Sequence, residues 1–155
     1  MLGQRAGTME AGMKLPFDQL EWRTEYAIGN LEIDNDHRQI FLAVNQYILA
    51  VKFCCDKRLT GKMLEVAEKY ALTHFEREEL IMIQVDYHHY EIHKQCHRDF
   101  LQAIKDFRCS HFSNEDISAE VAYFIASWLK IHVLEVDSKL GEHIARQQQK
   151  LMMCA

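Results

Sequence analysis

The 155-residue sequence has few of the residues that interrupt helices: one proline and six glycines. That shortage favours long helices over many short strands. The sequence lacks a run of about 18 unbroken apolar residues, which argues against a membrane span. It also lacks a basic block, and its formal net charge of −5 argues against a nucleic-acid or anionic-membrane partner. Its five cysteines are odd in number and form no CxxC pair, which argues against a disulfide framework and favours a cytoplasmic location.

Four segments place apolar residues at steps of three and four, which is the spacing of one helix face. The predicted helices cover about residues 36–53, 60–85, 89–107 and 114 to beyond 139. Capping residues are expected at 34–36, at Thr60 and at 113–116. Because the breaks between helices are short, successive helices should run antiparallel, as an all-α, up-down-up-down four-helix bundle. Residues 14–35 do not follow the helical pattern and are predicted to form an extended arm along the bundle.

The predicted inner faces carry imidazole and carboxylate groups where an amphipathic helix is normally apolar. They are His37 in the first helix, His74 and Glu78 in the second, His93 and His97 in the third, and His132 and Asp137 in the fourth. Residues four apart share a helix face, so both members of a pair can reach one point. A single inward histidine is ordinarily a hydrogen-bonded core residue. Seven such groups would need many partners, and an unpaired buried polar group costs about 1–3 kcal/mol. A metal centre satisfies all of them together.

Nitrogen and oxygen donors without thiolate fit iron, manganese or zinc. Seven ligands are too many for one ion, which suggests two ions bridged by carboxylates. Two octahedral ions need about twelve coordination positions. Five imidazoles, two bridging carboxylates and one bridging oxide or hydroxide leave about one position empty, on one ion only. An empty position on a redox-active pair of ions is where a small diatomic ligand would bind.

The same residues lie in four ordered segments: IGNLEIDNDH ending at His37, HFEREEL from His74, HKQCH from His93, and WLKIHVLEVD ending at Asp137. In this order and spacing they resemble the hemerythrin family, especially bacterial hemerythrins, over about residues 17–140. The resemblance implies two iron ions bridged by an oxide or hydroxide and by two carboxylates. It implies that His93, His97 and His132 hold one iron, that His37 and His74 hold the other, and that Glu78 and Asp137 are the bridges.

In that family dioxygen binds at the open iron, which here would be the one held by His37 and His74. Leu129 matches the apolar residue that lines the oxygen pocket, and Trp128 is next to it. One spacing disagrees with an ideal helix. Asp137 is five residues after His132, about 140° away around a helix of about 3.6 residues per turn. Glu135 would lie nearer the metal on a regular helix. We therefore predict a local distortion or wide turn in the fourth helix.

Three roles compete for such a site. The protein could be an oxygen carrier or store, an oxygen- or redox-sensing domain that autoxidises, or a di-iron oxidase or peroxide-handling enzyme. The sequence offers no substrate pocket, so binding of dioxygen, with other small ligands as candidates at the open iron, is favoured over catalysis. Leu140, Ile144, Gln147 and Leu151 follow a three-four spacing, which is typical either of a signalling helix that leads to an effector domain or of a frayed helical tail.

The expected organisation is a disordered arm at residues 1–13, a di-iron domain at 14–140 and a helical tail or linker at 141–155. Four histidines remain outside the predicted centre: His88 and His89 at a helix start, His111 in a loop, and His143 in the tail. Each is interpreted as a solvated residue or as one that supports a ligand.

Overall fold

A computed structural model describes residues 19–54, 57–111 and 116–154 of the protein, apart from the side chain of Cys54. A short 3-10 turn at Thr24–Tyr26 precedes the first long helix. The helices are α1 (Leu31–Cys54), α2 (Lys57–Gln84), α3 (Tyr90–His111), α4 (Ser118–Ile131), a π-helical segment (His132–Asp137) and α5 (Ser138–Met153). The predicted all-α bundle is confirmed, with α4, the π-helical segment and α5 together forming its fourth rod. In the described part of the chain, no helix is long and apolar enough to cross a membrane.

The first helix begins five residues earlier than predicted because Asn30 caps it. The side-chain oxygen of Asn30 accepts the backbone N–H groups of Glu32 and Ile33, at 3.1 and 3.2 Å. The cap expected at residues 34–36 is therefore wrong. Asp34 instead lies buried inside α1, and its carboxylate accepts the backbone N–H of Ile28 at 2.7 Å. This bond ties the arm before α1 to the bundle.

Thr60 is not a cap either, because it lies within α2 and is buried. Its hydroxyl belongs to a small polar cluster with Tyr47 and Ser118, near the starts of α2 and α4. Tyr47 donates to Thr60 Oγ1 at 3.0 Å, and Thr60 Oγ1 lies 2.7 Å from Ser118 Oγ. Burial raises the pKa of Tyr47 to about 12. Of the cap expected at 113–116, Asp116 accepts the backbone N–H of Ser118, and the rest lies outside the described residues.

The apolar interior forms two groups that lie on either side of a polar layer. Along α1, Ile33 belongs to the smaller group and Phe41 to the larger, with His37 between them. In each of the other rods a polar residue likewise lies between members of the two groups. These are Phe75, Glu78 and Met82 on α2; Tyr90, His93 and Phe100 on α3; and Val133, Asp137 and Leu140 on the fourth rod. The polar layer is thus closed from both sides by packed side chains.

The predicted distortion of the fourth helix is confirmed by the π-helical segment. A π turn accommodates one extra residue, so it shifts every later side chain around the helix axis. Asp137 is consequently fully buried, whereas Glu135 is exposed. The same shift turns Val133 into the interior, where it is buried, and leaves Val136 only half-buried.

α5 continues the fourth rod past residue 140 to Met153 without a break. Its first turns pack on the arm, where an added Cβ at Gly141 would lie 2.9 Å from the backbone oxygen of Ile28. In its final turn, Leu151, Met152 and Met153 are exposed to solvent. The expected division between domain and tail stays a prediction, and the arm expected at residues 1–13 lies outside the described residues.

Candidate metal centre

The structure brings all seven predicted ligand residues into one buried layer. They form two groups, in each of which the candidate ligand atoms lie within 4.8 Å of one another. The first group is Glu78, His93, His97 and His132, and the second is His37, His74, Glu78 and Asp137. Each side chain is at most 4% exposed. Glu78 belongs to both groups, so the two candidate sites are adjacent.

The first group is built around three histidine nitrogens that point at a common centre. His132 Nε2 lies 3.3 Å from His93 Nε2 and 3.2 Å from His97 Nε2. Nitrogens that share one ion at about 2.1 Å are separated by about 3 Å, so this triangle has the size that a metal ion requires. The four-residue spacing of His93 and His97 on α3 places two of its corners, and the first residue of the π-helical segment, His132, supplies the third.

The two carboxylates lie between the groups. Asp137 Oδ1 is 3.1 Å from both His93 and His132, whereas Asp137 Oδ2 is 3.2 Å from His37 Nε2. One oxygen of Asp137 therefore faces each group. Glu78 Oε2 lies 3.2 Å from His97 Nε2 and 4.0 Å from His74 Nε2. Both carboxylates therefore lie between the two groups of histidines.

The protein does not supply hydrogen-bond partners for all the buried polar atoms of this layer. Among the described residues, seven buried side-chain atoms have no hydrogen-bond partner: both ring nitrogens of His37, both oxygens of Glu78 and of Asp137, and Nδ1 of His93. Buried polar atoms are normally paired, so this concentration in one place indicates a bound group. Imidazole nitrogens and carboxylate oxygens are ligands that suit iron, manganese or zinc ions.

Charge interactions are strong in this layer. Burial and the neighbouring charge of Asp137 would raise the pKa of Glu78, but the adjacent imidazoles of His93 and His97 lower it to about 2. Burial likewise opposes ionisation of Asp137, and the neighbouring histidines, His132 foremost, hold its pKa well below the usual value. Burial would lower the pKa of His93, but Asp137 and Glu78 raise it to about 9. Positive charge is thus favoured here, from protons or from metal ions.

Two further carboxylates support ligand histidines from outside. Asp36 Oδ2 lies 3.4 Å from His74 Nδ1 and forms an ion pair with Arg77. Glu79 Oε1 lies 3.1 Å from His97 Nδ1, and Lys94 holds the other oxygen of Glu79 at 2.7 Å. Such carboxylates orient a ligand ring and increase its basicity. Sequence reasoning missed both, although Asp36 precedes His37 directly and Glu79 follows Glu78.

Aromatic rings pack against two of the histidines. Phe75 stacks on His97 with ring centres 3.8 Å apart and planes 2° apart. Trp128 stacks on His132 at 4.2 Å and 14°. These contacts fix the ring planes, so the triangle of nitrogens is held by packing as well as by the backbone.

An apolar cavity of about 40 Å³ adjoins the second group. Its polar boundary consists of His37, His74, His132 and Asp137, and its apolar lining includes Leu129, Trp128, Phe75, Val66 and Tyr70. A water-sized molecule needs about 10–15 Å³, so the cavity has room for a diatomic ligand. Leu129 is buried, whereas Val66 and Tyr70 are partly exposed, so the apolar lining extends from the His37 side towards the surface.

Buried imidazole and carboxylate groups inside an antiparallel four-helix bundle define a class of bundle proteins whose core can hold metal ions. Comparison with known proteins places the chain within that class. The family model "Hemerythrin HHE cation binding domain" matches residues 29–144. A bacteriohemerythrin of Clostridium acetobutylicum is 30% identical over 122 residues, 75% of this chain and 94% of that protein. The chain belongs to the hemerythrin family.

Animal relatives and solved structures agree. A hemerythrin from Sipunculus nudus is 27% identical over 128 residues, covering 81% of this chain and 96% of that one. The crystal structure of a wild-type hemerythrin superposes with a TM-score of 0.70, at 24% identity, over 79% of this chain and 95% of that one. At this identity the superposition shows the fold.

Proposed function

We propose that this protein binds dioxygen reversibly at a pair of non-haem iron ions, as an oxygen carrier or store or as an oxygen-sensing domain. The observation that carries the proposal is the pair of buried ligand groups that share Glu78, with Asp137 facing both. We assign His93, His97 and His132 to one iron and His37 and His74 to the other. Glu78 and Asp137 are the bridging carboxylates, and an oxide or hydroxide completes the bridge.

The cavity supports dioxygen as the ligand. With three histidines assigned to one iron and two to the other, the second iron would have room for an added ligand. The apolar cavity is lined by His37 and His74, the two histidines assigned to that iron. When bound, the iron pair supplies the electrons that dioxygen needs for reversible binding. Leu129, Trp128 and Phe75 keep bulk water away from the ligand.

The donor set favours binding over catalysis. Five neutral imidazoles and two carboxylates leave the centre less anionic than a site built mainly from carboxylates would be. The chain therefore provides less negative charge to stabilise a strongly oxidised iron. We expect a bound ligand to be released intact, and we do not expect an oxidase or a peroxide-handling enzyme.

The direct connection between the candidate metal centre and α5 favours sensing as the second role. Asp137, the proposed bridge, is the last residue of the π-helical segment and directly precedes α5. A shift of this carboxylate is therefore transmitted directly to the first turn of α5. If the protein is a sensor, backbone amide exchange in α5 should differ between the reduced and the oxidised iron protein. Equal exchange in both states would favour the carrier role.

The function is tested by the visible spectrum of the iron-loaded, reduced protein during addition and removal of dioxygen. We expect a visible band that appears with dioxygen, persists, and disappears when dioxygen is removed under argon. A matched variant, Leu42→Ala on the exposed face of α1, should behave like the unmodified chain. Immediate and permanent conversion to a plain oxidised spectrum would contradict reversible binding, as would a purified protein that takes up only zinc.

A further inference from the structure

Three histidines form a cluster outside the buried centre, where the turn between α2 and α3 meets α5. His88 and His89 are exposed in the turn, and His143 is half-buried on α5. The ring centres of His88 and His89 are 3.9 Å apart, and those of His88 and His143 are 5.4 Å apart. These separations bracket the 4.7–5.1 Å found among the three histidines of the first buried group. The three rings are thus close to one another, although their nitrogens do not lie within the 4.8 Å of one another that defines each buried group.

The ring of Tyr87 contacts all three histidine rings. Its ring is 5% exposed, and its centre lies 5.5, 5.8 and 5.3 Å from those of His88, His89 and His143, each time at a steep angle. The turn that carries it is itself fixed, since the Tyr87 N–H donates to the carbonyl of Met82 at 2.9 Å. The histidine backbones are therefore preorganised, and only side-chain rotation is needed to bring nitrogens together.

A hydrogen bond orients the ring on α5. His143 Nε2 lies 2.8 Å from the backbone oxygen of Val85, which can only accept, and 3.0 Å from the side-chain amide nitrogen of Gln147. In the tautomer that donates to this oxygen, Nδ1 of His143 keeps the lone pair that a metal ion needs. Partial desolvation and the neighbouring charges of His89, His143 and Arg146 lower the pKa of His88. The shift favours the neutral imidazole, which is the form that binds a metal ion.

We propose that His88, His89 and His143 form a second metal site, on the surface, that binds one divalent transition-metal ion. Three imidazoles suit zinc, copper or nickel. The ligands come from two elements, so a bound ion fastens α5 to the turn between α2 and α3. The proposal does not depend on iron in the buried centre, because the cluster shares none of the seven residues assigned there.

Calorimetric titration of the full, untagged chain with zinc tests the proposal, after the buried centre has been filled with iron. We expect one equivalent of zinc to bind. His88→Ala removes an exposed ring and should leave the fold intact, which thermal unfolding checks. This variant and His143→Ala should each weaken zinc binding by roughly tenfold or more, a loss of about 1.4 kcal/mol or more. His111→Ala, at the one histidine outside both groups, is the matched control and should bind zinc as the unmodified chain does.

Hydrogen exchange supplies the second readout, because zinc should slow amide exchange in α5 of the unmodified chain and not of His88→Ala. Zinc binding that is absent, or that survives both cluster variants unchanged, would overturn the proposal. If iron does not fill the buried centre, zinc binding there appears equally in all three variants. Failure of the iron assignment is therefore distinguishable from failure of the surface site.

Discussion

The metal-free and metal-loaded proteins should respond to pH with opposite signs, and His93 shows why. Its Nε2 lies 3.1 Å from Asp137 Oδ1 and 3.4 Å from Glu78 Oε2. Burial lowers the pKa of His93, but the two carboxylates more than offset this and raise it from 6.5 to about 9. In the metal-free protein a proton therefore occupies a place that an ion would otherwise take.

The size of the effect follows from that rise. When folding raises the pKa of a group, the protonated group stabilises the fold. This contribution is complete below the pKa of the unfolded state and is lost as the pH rises through the pKa of the folded state. A change from 6.5 to about 9 corresponds to about 3 kcal/mol, lost between pH 6.5 and pH 9. With an m value of about 2 kcal/mol/M, the urea midpoint should fall by about 1.5 M.

The loaded protein should behave in the opposite way, because metal binding requires neutral imidazoles and releases protons. Its free energy of unfolding should rise from pH 6.5 towards pH 9. The assay is urea unfolding followed by circular dichroism at several pH values, with and without bound metal. Metal-free His93→Gln cannot titrate at this position, so its dependence on pH should be clearly smaller.

A metal-free protein that gains stability over this pH range, or does not change, would refute this reasoning. So would a His93→Gln variant that retains the whole pH dependence. Either result would mean that the carboxylates of the polar layer do not hold a proton on His93.

Three other substitutions each test one contact: the cavity lining, the packing of α5 on the arm, and the carboxylate that supports His74. Leu129→Ala should lower the free energy of unfolding by about 2–5 kcal/mol and speed oxidation of the reduced iron protein in air, because it enlarges the cavity. Gly141→Ala should destabilise by about 1–3 kcal/mol in thermal unfolding, because the new methyl meets the Ile28 backbone oxygen at 2.9 Å. Asp36→Asn should weaken metal binding about 10- to 100-fold in competition with a chelator, because it loosens the support of His74.

Each of these predictions has a matched control. Leu42→Ala deletes an exposed leucine and should change neither stability nor oxidation by much. Gly61→Ala brings its methyl only to the His111 side chain, at 3.1 Å, which can move aside, so it should be near neutral. Asp106→Asn alters an exposed carboxylate nine residues past His97 on α3 and should leave metal affinity unchanged. Equal effects of test and control variants would contradict the corresponding contact.

The helices and the polar layer could be predicted because both follow helical spacing. His93 and His97, four apart, need only a regular helix to meet. The distortion at His132–Asp137 was also predictable, since a five-residue spacing cannot reach one point on a regular helix. Its consequence for Val133 was not, because the position of the extra residue depends on packing of the whole rod.

Helix starts and supporting residues were less accessible to sequence reasoning. Asp34, Asp36 and Asn30 are all plausible caps by residue type, and only the position of the arm decides that Asn30 caps α1 while Asp34 bonds to Ile28. Glu79 supports His97 across two helices, a contact that depends on the relative rotation of α2 and α3. His111, expected in a loop, is the last residue of α3.

The most direct test of the central claim is the stoichiometry of dioxygen uptake by the reduced, iron-loaded chain. Iron content and dissolved oxygen are measured on the same sample, before and after the oxygen pressure is lowered. Reversible binding at an iron pair predicts two irons per chain and one dioxygen per two irons, returned intact when the pressure falls. One iron per chain, or oxygen consumed without return, would contradict the claim.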